Sequence, residues 1–266
     1  MLNTQYSIPM NILFIGDIVG KPGRQAIKQL LPKIVEREGI GLVIANAENA
    51  AGGSSLNPNS VNELFQSGID VLTSGDHIFR RPEALKVIDH PFILRPENLP
   101  PAALGKGHCL IEKNGISIAV LNLQGRVFMS AIECPFRAAQ SAIEKIKNDA
   151  KIIIVDIHAE ATSEKIALSF FLEGEVSAVL GTHTHVQTAD EKILPAGTAY
   201  ISDAGMTGPC DSVIGRRKEK VIEKFVTGMP TSLEVASEDI QLQGVVVDID
   251  EQTGRARAIK RIKEKL

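Results

Sequence analysis

Gly181-Thr182-His183-Thr184-His185-Val186 follows an apolar run, Val176 to Leu180, and sets two imidazoles two residues apart where a buried strand should end. Side chains at i and i+2 share a face of a strand, and a break into a loop lets both turn toward one point. Neutral imidazole is the commonest metal ligand, so this stretch reads as half of a metal centre carried at a strand's end. Four earlier stretches repeat the pattern, each after a short apolar run: Gly16-Asp17, Glu48-Asn49, Gly75-Asp76-His77 and Asp156-Ile157-His158. The loops that follow strands are where an α/β sheet gathers its functional groups.

Working outward, Asn11 to Ile15, Leu42 to Ala45, Asp70 to Thr73 and Ile152 to Val155 read as buried strands. Ile27, Leu30, Leu31, Ile34 and Val35 recur at helical spacing between Pro22 and a closing Gly39, and Asn57-Pro58 pairs a capping residue with a first-turn proline. Further helices are expected from about Pro135 to Lys147 and from Thr162 through Phe171. Repeated strand, loop and helix argue for a largely parallel sheet. Asn114-Gly115 between two apolar runs is a hairpin signal that adds antiparallel strands. Thr198 to Ile201, Gly244 to Ile249 and a last strand through Ala256 and Ile259 complete the reading, with Lys260 to Lys265 as a charged edge and a frayed end.

Bulk properties narrow the function. A chain of 266 residues fits one α/β domain, and its 44% apolar and 23% charged residues are ordinary for a soluble protein. A formal net charge of −3 argues against a dedicated duplex nucleic-acid binder, although bound metal would still let an anionic phosphate ester approach. Cys109, Cys134 and Cys210 show no CxxC spacing and suit a reducing cytoplasm. Met1 to Met10 lack the charge and apolar core of a signal peptide, and no run of 18 apolar residues would cross a membrane. A cytoplasmic location is expected.

Singly, each strand-end residue has an ordinary alternative: Asp17 as a helix cap, His158 as a core histidine; Glu160 and Glu164 read either as outer supports that orient ligating histidines or, more simply, as capping groups around Thr162 and Ser163. Together, four of the six histidines sit at such ends. Mixed oxygen and imidazole donors suit Mn, Fe(II) or Zn better than Mg or Ca. Two such ions sharing a carboxylate activate water and clamp a phosphoryl group, and a neighbouring His can protonate the leaving oxygen. Arg95, Asn98 and Arg126 are candidates either for phosphate contact or for bracing loops. Cys210 has no assigned base and reads as a packed residue, not a nucleophile.

The motif order resembles that of calcineurin-like metallophosphoesterases. More narrowly, Phe14-Ile15-Gly16-Asp17-Ile18-Val19-Gly20, Ala47-Glu48-Asn49, the run His158 to Lys165, the run Gly181 to Asp190 and the run Asp203 to Pro209 resemble the bacterial YmdB-like branch. The likeness spans Met10 to about Ile262, which leaves residues 1–9 as an extension and 10–266 as one domain. It implies an α/β, four-layer αββα sandwich of two mixed sheets with a di-iron or di-manganese centre, zinc being possible. Carried over by residue, Asp17, Asn49 and His185 would hold one metal and Asp76, His158 and His183 the other. Glu48 would bridge them, with His77 as general acid. The implied activity is hydrolysis of cyclic nucleotides, 2′,3′-cyclic AMP among them, or of other small phosphodiesters through a metal-bridging hydroxide, in a homo-oligomer that binds neither membrane nor duplex. The chain departs from that branch at Asp76, where the motif usually carries Asn. A regulatory nucleotide- or partner-binding protein with weak turnover is the alternative that this departure raises.

Overall fold

The computed structural model describes residues 9–266; apart from Pro9, the expected extension lies outside the described residues. β1 (Pro9–Ile15) runs into the two-residue β2 (Asp17–Ile18) and then α1 (Gly20–Glu38), which ends on Gly39 in the left-handed conformation, as the helical spacing predicts. β3 (Ile40–Asn46), α2 (Pro58–Gln66) and β4 (Val71–Thr73) follow. Asn57 and Ser60 exchange side-chain and backbone hydrogen bonds in a capping box, which fixes the start of α2. β5 (His108–Lys113) and β6 (Ile116–Gln124) form the expected hairpin, with Asn114 at φ 54° and Gly115 at φ 78°.

α3 (Pro135–Ile146), β7 (Ile152–His158), α4 (Thr162–Phe171) and β8 (Ala178–Thr182) then alternate. The remainder is β9 (Lys192–Ile193), β10 (Ala199–Ile201), β11 (Met206–Pro209), α5 (Lys218–Thr227), β12 (Ile240–Asp250) and β13 (Ala256–Lys265). β13 lies at an edge, but its end is not frayed, because pairing with β12 continues to Gln241 opposite Lys265.

One sheet has seven strands, in the order β2-β11-β12-β1-β3-β4 with β13 also on β12; the other has six, β5-β6-β7-β8-β10-β9. Both are mixed: β1, β3 and β4 run parallel while β12 opposes β1, and β6, β7, β8 and β10 run parallel between antiparallel β5 and β9. Three apolar clusters fill three interlayer spaces. Ile12, Phe14, Ile44, Val120, Ile154 and Leu180 lie between the sheets. Ile27, Leu31, Ile34 and Leu64 pack the first two helices on the seven-stranded sheet, and Ala139, Ile143 and Leu168 pack α3 and α4 on the other. Strands buried on both faces read as continuous apolar runs, which is how β3 and β7 are visible in sequence. The sandwich brings the C-terminal ends of β1, β3 and β4 in one sheet beside those of β7 and β8 in the other.

Candidate metal centre

His158 ends β7 fully buried. Behind its ring, Nδ1 lies 2.9 Å from the hydroxyl of Thr182, which in turn donates to Asp156 Oδ1 at 2.7 Å. With the Thr182 proton committed to Asp156, Thr182 can only accept from His158, so Nδ1 carries a proton and Nε2 faces forward. Thr73 and Asn46 also donate to Asp156, at 2.5 and 3.1 Å. Burial pushes the Asp156 carboxyl up to about 7. Asp156 therefore stands behind the centre and orients His158, as outer partners of metal-binding histidines commonly do.

In front, His158 Nε2 lies 3.3 Å from Glu48 Oε1, 3.5 Å from Asp76 Oδ1 and 3.0 Å from His183 Nδ1. Glu48, Asp76, His158 and His183 each offer one donor atom, all within 4.8 Å of one another. Gly75 permits this approach, because a Cβ there would fall 2.0 Å from Cδ2 of His158. His183 points its far nitrogen, Nε2, at Glu160, 3.1 Å away. Glu160 thus supports His183, which favours the outer-support reading over the simpler helix-capping one. Glu164 is likewise no cap: it accepts the backbone N–H groups of Arg126 and Val127, and α4 begins at Ala161 without a side-chain cap.

A second group adjoins the first. His185 donates Nδ1–H to the Ile214 carbonyl at 3.0 Å, which leaves Nε2 facing Asp17 Oδ1 at 3.6 Å and Asn49 Nδ2 at 3.3 Å. Asn49 Nδ2 also donates to Glu48 Oε1 at 3.2 Å, while its oxygen is 2.7 Å from His77 Nδ1. Glu48 thus sits between the two groups, and its other oxygen accepts the His77 backbone N–H at 2.9 Å.

The two histidines reach the site through backbone strain that the strand reading alone does not contain. β8 stops at Thr182, and His183 and His185 then take φ of 99° and 64°. Such positions cost on the order of 1–3 kcal/mol each for non-glycine residues and must be held by their surroundings. Here the His183 N–H donates to Asp17 Oδ2 at 3.0 Å, and Thr184 donates its N–H and hydroxyl to Asp203 Oδ2 at 2.9 and 2.8 Å. The wholly buried Lys165 of α4 bonds Asp203 at 3.0 Å and the Thr182 carbonyl at 2.7 Å. At Gly181 a Cβ would meet the Ser202 carbonyl oxygen at 1.8 Å, so only glycine lets the β8 end lie against this brace.

Electrostatics match the geometry. Burial opposes ionisation of Asp17 and Asp76, yet neighbouring histidines hold both carboxyls well below the usual range. Burial also opposes charge on His158, and Glu48, Asp76 and Asp17 overcome it and raise its pKa. For His77 burial prevails and lowers the pKa, against Glu48 and Asp76. Oδ1 of Asp17 and Oδ1 of Asp76 are buried and accept no hydrogen bond among the described residues, an expensive condition for carboxylates unless a cation completes them. With imidazole nitrogens 3.5 and 3.6 Å from them, these oxygens fit divalent metal, which would take the place of the ring protons.

A cavity of about 350 Å³ opens over both groups and is also lined by Val19, Gly53, Thr184, Ile214 and Arg216. Two larger hollows, about 540 Å³ each, lie elsewhere, around Arg24 and Glu63 and around Asn114 and Lys151; neither gathers metal donors. Arg95 and Asn98 are not on the cavity wall. Arg95 binds the carbonyls of Pro96 and Glu97, and Asn98 those of Gln124 and Glu133, so both brace loops. Arg126 is exposed beside Glu164, away from the cavity lining. Cys210 is half-buried, and burial raises its thiol pKa. Sequence reasoning did not single out Lys165, Asp203, Ile214 or Arg216. The first two lie inside motifs already quoted, whereas nothing in the local sequence marks the last two.

Known proteins resemble this chain along nearly its whole length. The family model described as YmdB-like protein matches residues 13–262. A Bacillus subtilis protein named 2′,3′-cyclic-nucleotide 2′-phosphodiesterase is 46% identical over 254 residues, 95% of this chain and 96% of its own. The crystal structure of a hypothetical protein from Thermus thermophilus superposes with a TM-score of 0.91 at 39% identity, covering 96% of this chain and 99% of that one. That of a novel phosphatase from Mycoplasma pneumoniae gives 0.92 at 35% identity, covering 97% and 94%.

Proposed function

This chain belongs to the YmdB-like family of metallophosphoesterases, and from that premise we propose that it is a metal-dependent phosphodiesterase acting on 2′,3′-cyclic nucleotides. The observation that carries the reading is the pair of buried carboxylate oxygens on Asp17 and Asp76 that accept no hydrogen bond among the described residues and face imidazole nitrogens under one cavity. In this reading residues 10–266 act as one domain in a bacterial cytoplasm. Asp17, Asn49 and His185 would hold one divalent ion and Asp76, His158 and His183 a second, with Glu48 between the two groups. The Asn49 oxygen now faces His77, so its use as a ligand requires the amide turned over. Mn, Fe(II) and Zn all suit this mixture of oxygen and nitrogen donors. When bound, the ions supply Lewis acidity and a water acidic enough to attack at neutral pH.

The chain's own residues do the rest. Thr182 and the Ile214 carbonyl hold the Nδ1 protons of His158 and His185, so that each ring would offer Nε2 to a metal that displaces its second proton. His77 on the cavity wall gives its proton to the departing ribose oxygen as the P–O bond breaks, and its backbone N–H fixes Glu48. Asp76 adds a negative charge to the centre, and Arg80 bonds its second oxygen at 3.2 Å. No helix among the described residues is long and apolar enough to cross a membrane. Exposed Phe225, Val226 and Met229 around the end of α5 support assembly into a homo-oligomer, which sedimentation would measure.

The test is hydrolysis of 2′,3′-cyclic AMP by protein loaded with Mn or Fe(II), beside His77→Ala with metal content measured for both. Turnover that falls by about 10²–10⁴-fold in a metal-replete variant is the expected result. Full metal occupancy without turnover of this or a generic diester would refute the reading and leave a nucleotide- or partner-binding regulator.

A further inference from the structure

The wall of the cavity carries positive charge that the chemistry above leaves unused. Arg216 lies in the loop after β11, half-buried, with its guanidinium held between the carbonyls of Leu233, at 3.0 Å, and Gly53. The loop itself is closed by reciprocal backbone bonds between Val213 and Arg216, both 2.9 Å, and is tied to the 235–236 strap through Ala236 N–H and Gly215. The guanidinium is thus fixed and shares the cavity with Glu48, Asn49, His77 and His185.

Among the described residues no carboxylate forms an ion pair with it. Burial and then the positive charges of Arg81 and Arg80 lower its pKa, the condition of a cation among cations. Arg81 approaches the same loop, since a Cβ on Gly52 would come within 3.5 Å of its Nη2. Arg81 is exposed, and no ion pair to an acid involves it among the described residues. Arg80 is partly offset by Asp76, and Glu160, the carboxylate on the rim, faces His183. A protein with a net charge of −3 thus places one guanidinium without an acidic partner among the described residues on the wall of its metal cavity, and a second against Gly52, next to the lining residue Gly53. Gathering like charges is costly unless an anion shares them, and the planar guanidinium suits phosphate oxygens.

We propose that Arg216 and Arg81 form a subsite for a second phosphate of the substrate, one esterified to the 5′-oxygen of the nucleoside whose 2′,3′-cyclic phosphate is cleaved. This deepens the reading under Proposed function and rests on it. A ribonucleotide places its 5′-phosphate on the opposite side of the sugar from the cyclic phosphate. In this proposal the cyclic phosphate sits over Glu48, the sugar in the same cavity with Val19 and Ile214 on its wall, and the 5′-phosphate against Arg216. The favoured substrate class is therefore a nucleotide that is both 5′-phosphorylated and 2′,3′-cyclic, either free or as the 3′ end of a short oligonucleotide. The same contacts recognise a terminal monoester or an internal diester. Binding energy from this remote group lowers KM and, where it fixes the scissile phosphate, raises kcat.

The experiment compares kcat/KM of the metal-loaded protein for adenosine 2′,3′-cyclic phosphate, its 5′-phosphorylated form, and the dinucleotide ApA ending in a 2′,3′-cyclic phosphate. The expected preference for each 5′-phosphorylated substrate is about tenfold or more, mainly in KM, because a charge-assisted contact discriminates by that order. In Arg81→Gln and Arg216→Gln, which keep hydrogen-bond donors but lose charge, the ratio should collapse toward unity whatever the absolute rate. Preference for the dinucleotide alone would show recognition of the neighbouring nucleoside and overturn the proposal. So would a wild-type ratio near one, or a ratio unchanged in both variants. Calorimetric binding of adenosine 3′,5′-bisphosphate against adenosine 3′-phosphate separates the two readings. If no cyclic nucleotide is hydrolysed but the bisphosphate still binds about tenfold tighter in an Arg81- and Arg216-dependent way, the phosphodiesterase reading fails and the subsite stands.

Discussion

Replacing Lys165 by Met tests whether the histidine loop is held by a buried charge from the neighbouring helix. Lys165 is wholly buried, and its ammonium meets Asp203 Oδ2 at 3.0 Å and the Thr182 carbonyl at 2.7 Å. Lys165→Met keeps the aliphatic stem but strands the Asp203 carboxylate, which is 1% exposed. Breaking a buried pair from one side costs roughly 3–5 kcal/mol. Asp203 retains three donors, from Thr184 N–H, Thr184 Oγ1 and Gly205 N–H, so the lower end of that range applies. At roughly 2–4 °C per kcal/mol for a domain near this size, Tm should fall by about 6–12 °C.

The measurement is urea or thermal unfolding of metal-stripped protein, because bound metal would add its own stabilisation. Asp203→Asn placed on top of Lys165→Met should recover part of the loss, since a neutral amide needs no counter-charge. Affinity for Mn, followed by chelator competition, should fall by about 10–100-fold as His183 and His185 lose their support. A Lys165→Met protein within about 1 kcal/mol of the parent would refute the reasoning, as would a double-mutant coupling below about 0.5 kcal/mol.

Gly75→Ala should lower metal affinity by about 10–100-fold, the range for displaced supports of a metal ligand, because its methyl would sit 2.0 Å from the His158 ring; an unchanged chelator titration would contradict this. Glu160→Gln should weaken metal binding less than Gly75→Ala, since Glu160 touches only His183 Nε2 and is half-exposed; equal losses would show that its role is larger than orientation. Among the cysteines, alkylation near pH 8 should spare Cys109, whose thiol burial pushes up to about 12, and reach Cys134 first, as mass spectrometry of digests would show. Burial works against ionisation of Glu97, but His108 at 3.1 Å holds its carboxyl below the ordinary 4.5. A depressed carboxylate stabilises the fold above its unfolded pKa and stops doing so as pH falls through its folded one. The stability gap between the parent and Glu97→Gln should therefore close on acidification below about 4.5; a gap that widened would reverse the assigned sign.

The sequence by itself determined most elements and the strand ends on which the site lies; the two-sheet, four-layer arrangement was only what the family resemblance implied. Doubly buried strands such as β3 and β7 are continuous apolar runs, the Asn57-Pro58 cap and the Asn114-Gly115 turn are local chemistry, and each functional strand ends in a polar residue of the right kind. It did not determine β2, β9 or β11, strands of two to four residues, too short to carry a period and formed because neighbours pair with them. Nor did it show α5, which buries only Val221 and turns Ile222, Phe225 and Val226 outward, so that no core-facing stripe marks it. Only the tertiary structure decided that Asp156 stands behind His158, that Glu160 serves His183, that Arg95 and Asn98 brace loops, and that Arg216 faces the cavity. The physical reason is distance along the chain. Asn46 and Asp156 meet across 110 residues, Asp17 and His183 across 166, and Gly53 and Arg216 across 163. Residue type offers a donor or a charge, but which atom it faces is fixed by packing two sheets together, and that fixes the tautomers, the strained loop and the unpaired cations.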